Sequence, residues 1–266
     1  MKSFMWWMPV FFIEELESDT TAYLYGSAAT NSWSSARSDI DFLVFIKKPQ
    51  LPQFQAQVAE WKRLGLPELD GFVCFENGAE LLTFQLNEPF EKPKPASDKI
   101  QIPDLWKIQF RSRKLFGADN LAEKLPRVQR PDLRSWALAD RDKYWIPDIL
   151  GTIQRLSARN PSEFVSSLTP AIWLASGASR IVNLMKGGEC ISKQEALRLF
   201  ILCLPKSEES IQLLIRNYAV KDNEAERITV AQALEIANLC LELLHQNQVE
   251  EAHNEGLFSE VKVKKS

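Results

Sequence analysis

Leu24-Tyr25-Gly26-Ser27-Ala28 and, a short way on, Ser38-Asp39-Ile40-Asp41 are the stretch on which the reading of this chain turns. Residues 21–25 are β-prone and the run stops at Gly26, where a glycine lets the backbone come close to a ligand. Amides freed at the start of a following helix, with the Ser27 hydroxyl, suit anionic phosphate oxygens. Asp39 and Asp41 are two residues apart, just ahead of the apolar run Phe42-Leu43-Val44-Phe45-Ile46. At the start of a strand, that period aims both carboxylates at one face. Paired hard oxygen donors beside a phosphate cradle suit magnesium carrying a nucleoside triphosphate.

Taken singly, each piece has a plainer explanation, since aspartates ahead of strands commonly cap turns. The order of the pieces is what argues for chemistry: strand, Gly-Ser, spacer, Ser-Asp-x-Asp, buried strand. In that order the chain resembles the DNA polymerase β-like nucleotidyltransferase superfamily, and most closely its streptomycin/spectinomycin (aminoglycoside) adenylyltransferases. Ser179-Arg180-Ile181, Gly188-Glu189-Cys190-Ile191-Ser192-Lys193 and Leu204-Pro205 are similar, in order and spacing, to the helical second half of those enzymes.

The resemblance implies an α+β fold: a nucleotidyltransferase domain, with a mixed sheet flanked by helices, followed by an α-helical bundle domain. It implies transfer of AMP from ATP, with one or two Mg2+ ions, to a hydroxyl of a small-molecule acceptor such as an aminoglycoside. Asp39 and Asp41 would hold metal, and Gly26, Ser27 and Ser38 would hold nucleotide. A third carboxylate is required on a neighbouring strand. Asp70 takes the place of the family's catalytic glutamate, one methylene shorter, and Glu76 and Glu80 are the alternatives. Lys193 matches a basic position able to reach the nucleotide phosphates across the cleft, and is equally readable as a solvated residue at a helix start. Arg180 is readable as structural or as facing the cleft.

Working outward, residues 53–64 have helical spacing of Phe54, Val58 and Trp61. Residues 71–75 and 81–86 are strand candidates around the turn signal Glu76-Asn77-Gly78. Residues 89–103 are rich in proline and lysine and suit an extended spacer. A helix is expected over 104–117, with Arg111, Arg113 and Lys114 as its solvated face, and nearly everything from Asp132 on is helical in pattern. Pro147 should kink or split the helix expected over 133–156. Thr169-Pro170 has the form of a helix start, Gly187-Gly188 of a stop, and Ser192/Glu195 and Thr229/Gln232 of capping boxes. The helix expected over 194–204 is apolar enough for a bundle core. The expected domains are 1–100, 101–250 and a flexible tail, 251–266.

The whole chain narrows the classes further. A length of 266 residues allows one large domain or two modest ones, and a net charge of −3 offers no general field for nucleic acid. Cys74, Cys190, Cys203 and Cys240 are scattered in apolar stretches, as expected of buried thiols in a reducing cytoplasm. With only His245 and His253, a zinc site is not expected. The apolar run at 4–13 is too short to cross a bilayer, and acidic residues follow it at once. It is expected to pack on the first domain of a cytoplasmic protein.

The acceptor end departs from the family. Where the drug-modifying enzymes carry acids at the start of a bundle helix, this chain has Pro170-Ala171-Ile172-Trp173. Trp136, Trp145 and Trp173 could line an acceptor pocket or simply fill a core. Two alternatives stand beside the small-molecule reading. One is a toxin–antitoxin-type nucleotidyltransferase acting on a partner protein, although the Arg-x4-His signature of the usual partner ribonuclease is missing. The other is a catalytically silent nucleotide-binding protein.

Overall fold

The computed structural model describes residues 20–29, 40–65, 68–90, 92–117, 121–220 and 224–263, with backbone only for Ala122 and 247–263. The chain divides into two compact units, Met1–Gln129 and Arg130–Ser266. Ser38, Asp39 and the apolar run at 4–13 lie outside the described residues.

The first unit is built on β1 (Thr21–Tyr25), a single helical turn α1 (Gly26–Ala29), β2 (Ile40–Ile46), α2 (Leu51–Arg63), β3 (Leu69–Asn77) and β4 (Glu80–Gln85). It is completed by β5 (Lys94–Pro95), α3 (Ala96–Lys99), α4 (Ile102–Arg111), β6 (Arg113–Phe116) and α5 (Leu121–Lys124). The strands form one mixed sheet in the order β5-β4-β3-β2-β1-β6. Only β2 and β3 are parallel, so the chain must cross over between them, and α2 is that crossover.

Period-two alternation sorts the side chains of this sheet. Ile40, Phe42, Val44 and Ile46 of β2 share a core with Val73 and Phe75 of β3 and with Phe54, Val58 and Trp61 of α2. Burial of each large apolar side chain there contributes about 1.5–3 kcal/mol. The opposite face carries Asp41, Leu43 and Phe45 of β2, and Leu43 and Phe45 are buried as well. Two buried faces explain why β2 reads as a continuous apolar run after its single acid.

Two expectations fail in this unit. The helix expected over 104–117 ends at Arg111: Ser112 is extended, and residues 113–116 turn into β6, an edge strand paired with β1. Arg113 and Lys114 are exposed on that edge strand rather than on a helix face. The proline-rich stretch is not wholly a spacer either, because Lys94–Pro95 pairs with β4 at the other edge, where a missing N–H is tolerated. Both edge strands belong to the first compact unit, Met1–Gln129.

The second unit is helical. It contains α6 (Arg130–Asp140), a π-helical segment Arg141–Trp145, α7 (Ile146–Ser157), α8 (Thr169–Met185), α9 (Lys193–Cys203), α10 (Glu208–Asn217) and α11 (Val230–Val263). α8 is the central element, buried along nearly its whole length from Ala171 to Met185. Gly177 sits where Trp145 packs, since a Cβ there would lie 1.8 Å from the indole ring. Pro147 stands in the first turn of α7, where its missing N–H does no harm, and the preceding π segment takes up the break. Both capping boxes form: Ser192 with Glu195, and Thr229 with Gln232.

Three details differ from the sequence reading. α8 is capped by Leu168 without a side-chain bond, and Thr169 is its first helical residue. α9 buries only Ala196, Leu197 and Phe200, while Leu202 is 77% exposed, so it covers the core with one face. α11 continues as helix to Val263, through the stretch expected to be a frayed tail.

Candidate active site

The candidate site is assembled where β1 ends and β2 and β3 begin. Tyr25, the last residue of β1, is the register partner of Asp41 in β2. The chain then turns at Gly26 with φ +67, a backbone region that side chains other than glycine rarely adopt. A Cβ on Gly26 would lie 2.0 Å from Asp41 Oδ2. The glycine therefore admits the Asp41 carboxylate against the Gly-Ser turn.

Asp70 stands beside Asp41. The parallel register pairs Asp41 with Asp70, Phe42 with Gly71 and Leu43 with Phe72. Register partners share a face, so both carboxylates lie on the face opposite the α2 core, and both residues are half-buried. Gly71 has φ +100, and a Cβ there would meet the Phe42 carbonyl oxygen at 2.0 Å, so the two strands run tightly together at this level. The Gly71 backbone N–H donates to Asp70 Oδ1 at 2.7 Å. From β4, Gln85 Nε2 donates to the same oxygen at 3.5 Å.

The other two candidates for the third carboxylate are elsewhere. Glu76 is six residues along β3 from Asp70, roughly 20 Å at the rise of a strand. It is exposed and ion-paired with Lys124, whose hydrogen bond holds its carboxyl below the usual range. Glu80 opens β4 opposite Asn77, at the same far end, and is exposed. Among Asp70, Glu76 and Glu80, only Asp70 is next to Asp41.

Asp41 and Asp70 fit a divalent cation by donor chemistry, as two hard carboxylates on one face. Asp39 and Ser38, the other two candidates of this stretch, lie outside the described residues. Among the described residues there is no group of three or more His, Cys, Asp or Glu able to hold a metal.

The remaining sequence candidates lie in the second unit. Lys193 is the first residue of α9, directly after the Ser192 cap. Arg180 Nε donates to the Ile191 carbonyl at 3.1 Å, and Asn183 Nδ2 to the Glu189 carbonyl at 2.6 Å. These two bonds tie the Ser-Arg-Ile stretch of α8 to the Gly-Glu-Cys-Ile-Ser-Lys loop, a structural reason for the two motifs to occur together. Trp145 is buried and stacks on Trp173, with ring centroids 5.4 Å apart, and Tyr144 meets Trp145 edge-on. Trp145 Nε1 donates to Asp140 Oδ2 at 2.9 Å. Trp173 itself is 42% exposed.

Gln85 is the site residue that sequence reasoning missed. No local signal marks it. It comes next to Asp70 only through the register of the β3–β4 hairpin, which pairs Gln85 with Phe72.

Residues 11–93 match the family model of the nucleotidyltransferase domain. No curated protein matches the chain. Among solved structures, the crystal structure of spectinomycin adenyltransferase AAD(9) from Enterococcus faecialis, with ATP and spectinomycin, is similar. The likeness has a TM-score of 0.57 at 15% sequence identity, and covers 89% of this chain and 99% of that one. It carries the fold, an α+β chain with a mixed six-stranded sheet and C-terminal helices.

Proposed function

We propose, from the match of residues 11–93 to the nucleotidyltransferase domain model, that this chain transfers AMP from ATP to a hydroxyl of a small-molecule acceptor. The observation that carries the proposal is the packing of Asp41 against Gly26 with Asp70 as its register partner. A Gly-Ser turn packed against one of two neighbouring carboxylates supports a site for phosphate and a divalent cation.

In this reading Asp41, with Asp39, holds magnesium, and Asp70 is the third carboxylate. Magnesium held there would supply charge neutralisation for the triphosphate. Gly26, Ser27 and Ser38 hold the triphosphate. Asp41 and Asp70 keep the metal end of the nucleotide fixed against the sheet, so that the acceptor oxygen and the leaving pyrophosphate can lie in line. Positioning and charge neutralisation supply most of the rate.

The solved structure of AAD(9) contains ATP and spectinomycin, and an aminoglycoside-like acceptor is proposed here on that likeness. The first turn of α8 has no acid, which favours an acceptor with fewer positive charges than the polycationic drugs. The test is release of pyrophosphate from ATP and magnesium over a panel that includes spectinomycin, streptomycin and uncharged polyols. Release with any acceptor, lost in Asp41→Ala, supports the reading. Release that persists in Asp41→Ala refutes the site.

A further inference from the structure

An aspartate in place of a longer acid must be held well if it is to serve a metal. Oδ1 of Asp70 is engaged from two directions: by the Gly71 amide of its own strand at 2.7 Å and by the Gln85 side chain of the next strand at 3.5 Å. Gln85 reaches it because Phe72 and Gln85 are register partners, so Gln85 and Asp70 share a face on adjacent strands. Tyr25, Asp41 and Asp70 thus form a row across β1, β2 and β3, and Gln85 of β4 stands diagonal to Asp70, opposite Phe72. Leu43, Phe45, Phe72 and Cys74, on the same face one step further along, are all buried.

We propose that Gln85 is a positioning residue for Asp70. Its amide donates to Oδ1 and, with the Gly71 N–H, fixes the plane of a carboxylate that a free rotamer would let swing away from Asp41. The inference rests on the nucleotidyl-transfer reading of the same site. Gln85 touches neither nucleotide nor metal in this scheme; it acts through Asp70. A bond of 3.5 Å is long, and bonds of this kind commonly tighten when the reacting complex forms. The role demands a donor. Glutamate at 85 would set a second negative charge against Asp70, and methionine would keep the length while removing the N–H.

The test uses Gln85→Met, Gln85→Ala and Gln85→Glu in the full chain, with two measurements. One is turnover; the other is Mn2+ affinity in the presence of α,β-methylene-ATP, which needs no reaction. Gln85→Met is expected to lower kcat about tenfold with KM for ATP within about twofold, the size of effect of losing one hydrogen bond to a charged group. Mn2+ affinity should fall by a similar factor, and Gln85→Glu should lose more on both counts.

A second comparison separates positioning from general damage to the fold. In an Asp70→Glu background the carboxylate sits one methylene beyond the Gly71 amide, and the effect of Gln85→Met should shrink to within about twofold. Native kcat and Mn2+ affinity in Gln85→Met, or an equal loss in both backgrounds, would overturn the proposal. Should Gln85→Met fold poorly, Gln85→Ala carries the same comparison. If Asp41→Ala is inactive while the Gln85 variants are native, only the positioning role falls. If Asp41→Ala stays active, the underlying reading falls first.

Discussion

Asp41 and Asp70 are direct register partners in the parallel pair β2–β3. Neighbouring strands lie about 4.8 Å apart. Two unit charges at about that distance in a half-buried setting repel by on the order of 3 kcal/mol. A divalent cation turns that repulsion into attraction, which is the physical case for a metal at this point in the sheet.

The pair should be needed for turnover and dispensable for folding. Asp41→Asn and Asp70→Asn each change one oxygen to a nitrogen and leave the strand pairing intact. Each is expected to lower kcat about a thousandfold, the scale of losing a main electrostatic contact to the transition state, with the circular dichroism spectrum unchanged. Activity within tenfold of native in Asp70→Asn would return the third-carboxylate role to another acid.

Gly26→Ala tests the close approach of Asp41 to the Gly-Ser turn. The added Cβ would stand 2.0 Å from Asp41 Oδ2, and the backbone has φ +67, so the carboxylate must move. A displacement of about an ångström at a reacting centre can lower the rate about a hundredfold. Kinetics together with a thermal melt would show that loss alongside a modest drop in Tm. Native kcat would mean that Asp41 has room the structure does not show.

How much of this was legible in the sequence varies with the range of the interaction. β1, β2, α2, β3 and β4 were, because apolar spacing and the Asn77-Gly78 turn are local signals. Gly26 and Asp41 were legible too, since their spacing along the chain is what the structure converts into contact. β6 was not: Leu115 and Phe116 suit a helix as well as a strand, and pairing with β1 settles the matter. Gln85 was invisible for the same reason, being brought in by hairpin register rather than by neighbours in sequence. The proximity of Asp70, rather than Glu76 or Glu80, to Asp41 also needed register, because two of these acids are on β3 and the third opens β4.

In the second unit, Gly177→Ala probes the tightest steric fit. Its Cβ would fall 1.8–2.6 Å from three atoms of the Trp145 ring. Overpacking of this kind costs about 1–3 kcal/mol, so a melt should show a clear fall in Tm. An unchanged melt would show that the Trp145–Trp173 stack can shift at no cost.

Asp140 gives that unit a pH dependence of definite sign. Burial holds its carboxyl above the ordinary value of 3.8, against the opposing hydrogen bond from Trp145. The folded chain therefore binds a proton more readily than the unfolded one, and this contribution is lost as pH rises through the folded value. Asp140→Asn keeps an acceptor for Trp145 and removes the charge. Its Tm should be about 1–2 °C higher at neutral pH and flatter on the acid side. A lower Tm at neutral pH would contradict this.

Thiol chemistry offers an independent check on both cores. Cys74 is buried, and burial pushes its thiol up to about 12; burial raises the Cys240 thiol as well. Cys190 is also buried, whereas Cys203 is only partly so. Alkylation of the native protein at mildly alkaline pH, mapped by mass spectrometry, should label Cys203 well before the other three. Early labelling of Cys74 would mean that the sheet face beyond Asp41 is open.

The claim that Gly26, Asp41 and Asp70 form a nucleotide–metal site can be measured without knowing the acceptor. Calorimetric titration with α,β-methylene-ATP, with magnesium and then with EDTA, is the most direct test. Native protein should bind the analogue only with magnesium, and Asp41→Ala should weaken that binding at least about tenfold. Binding that is equally tight in EDTA, or unaffected by Asp41→Ala, would contradict the account.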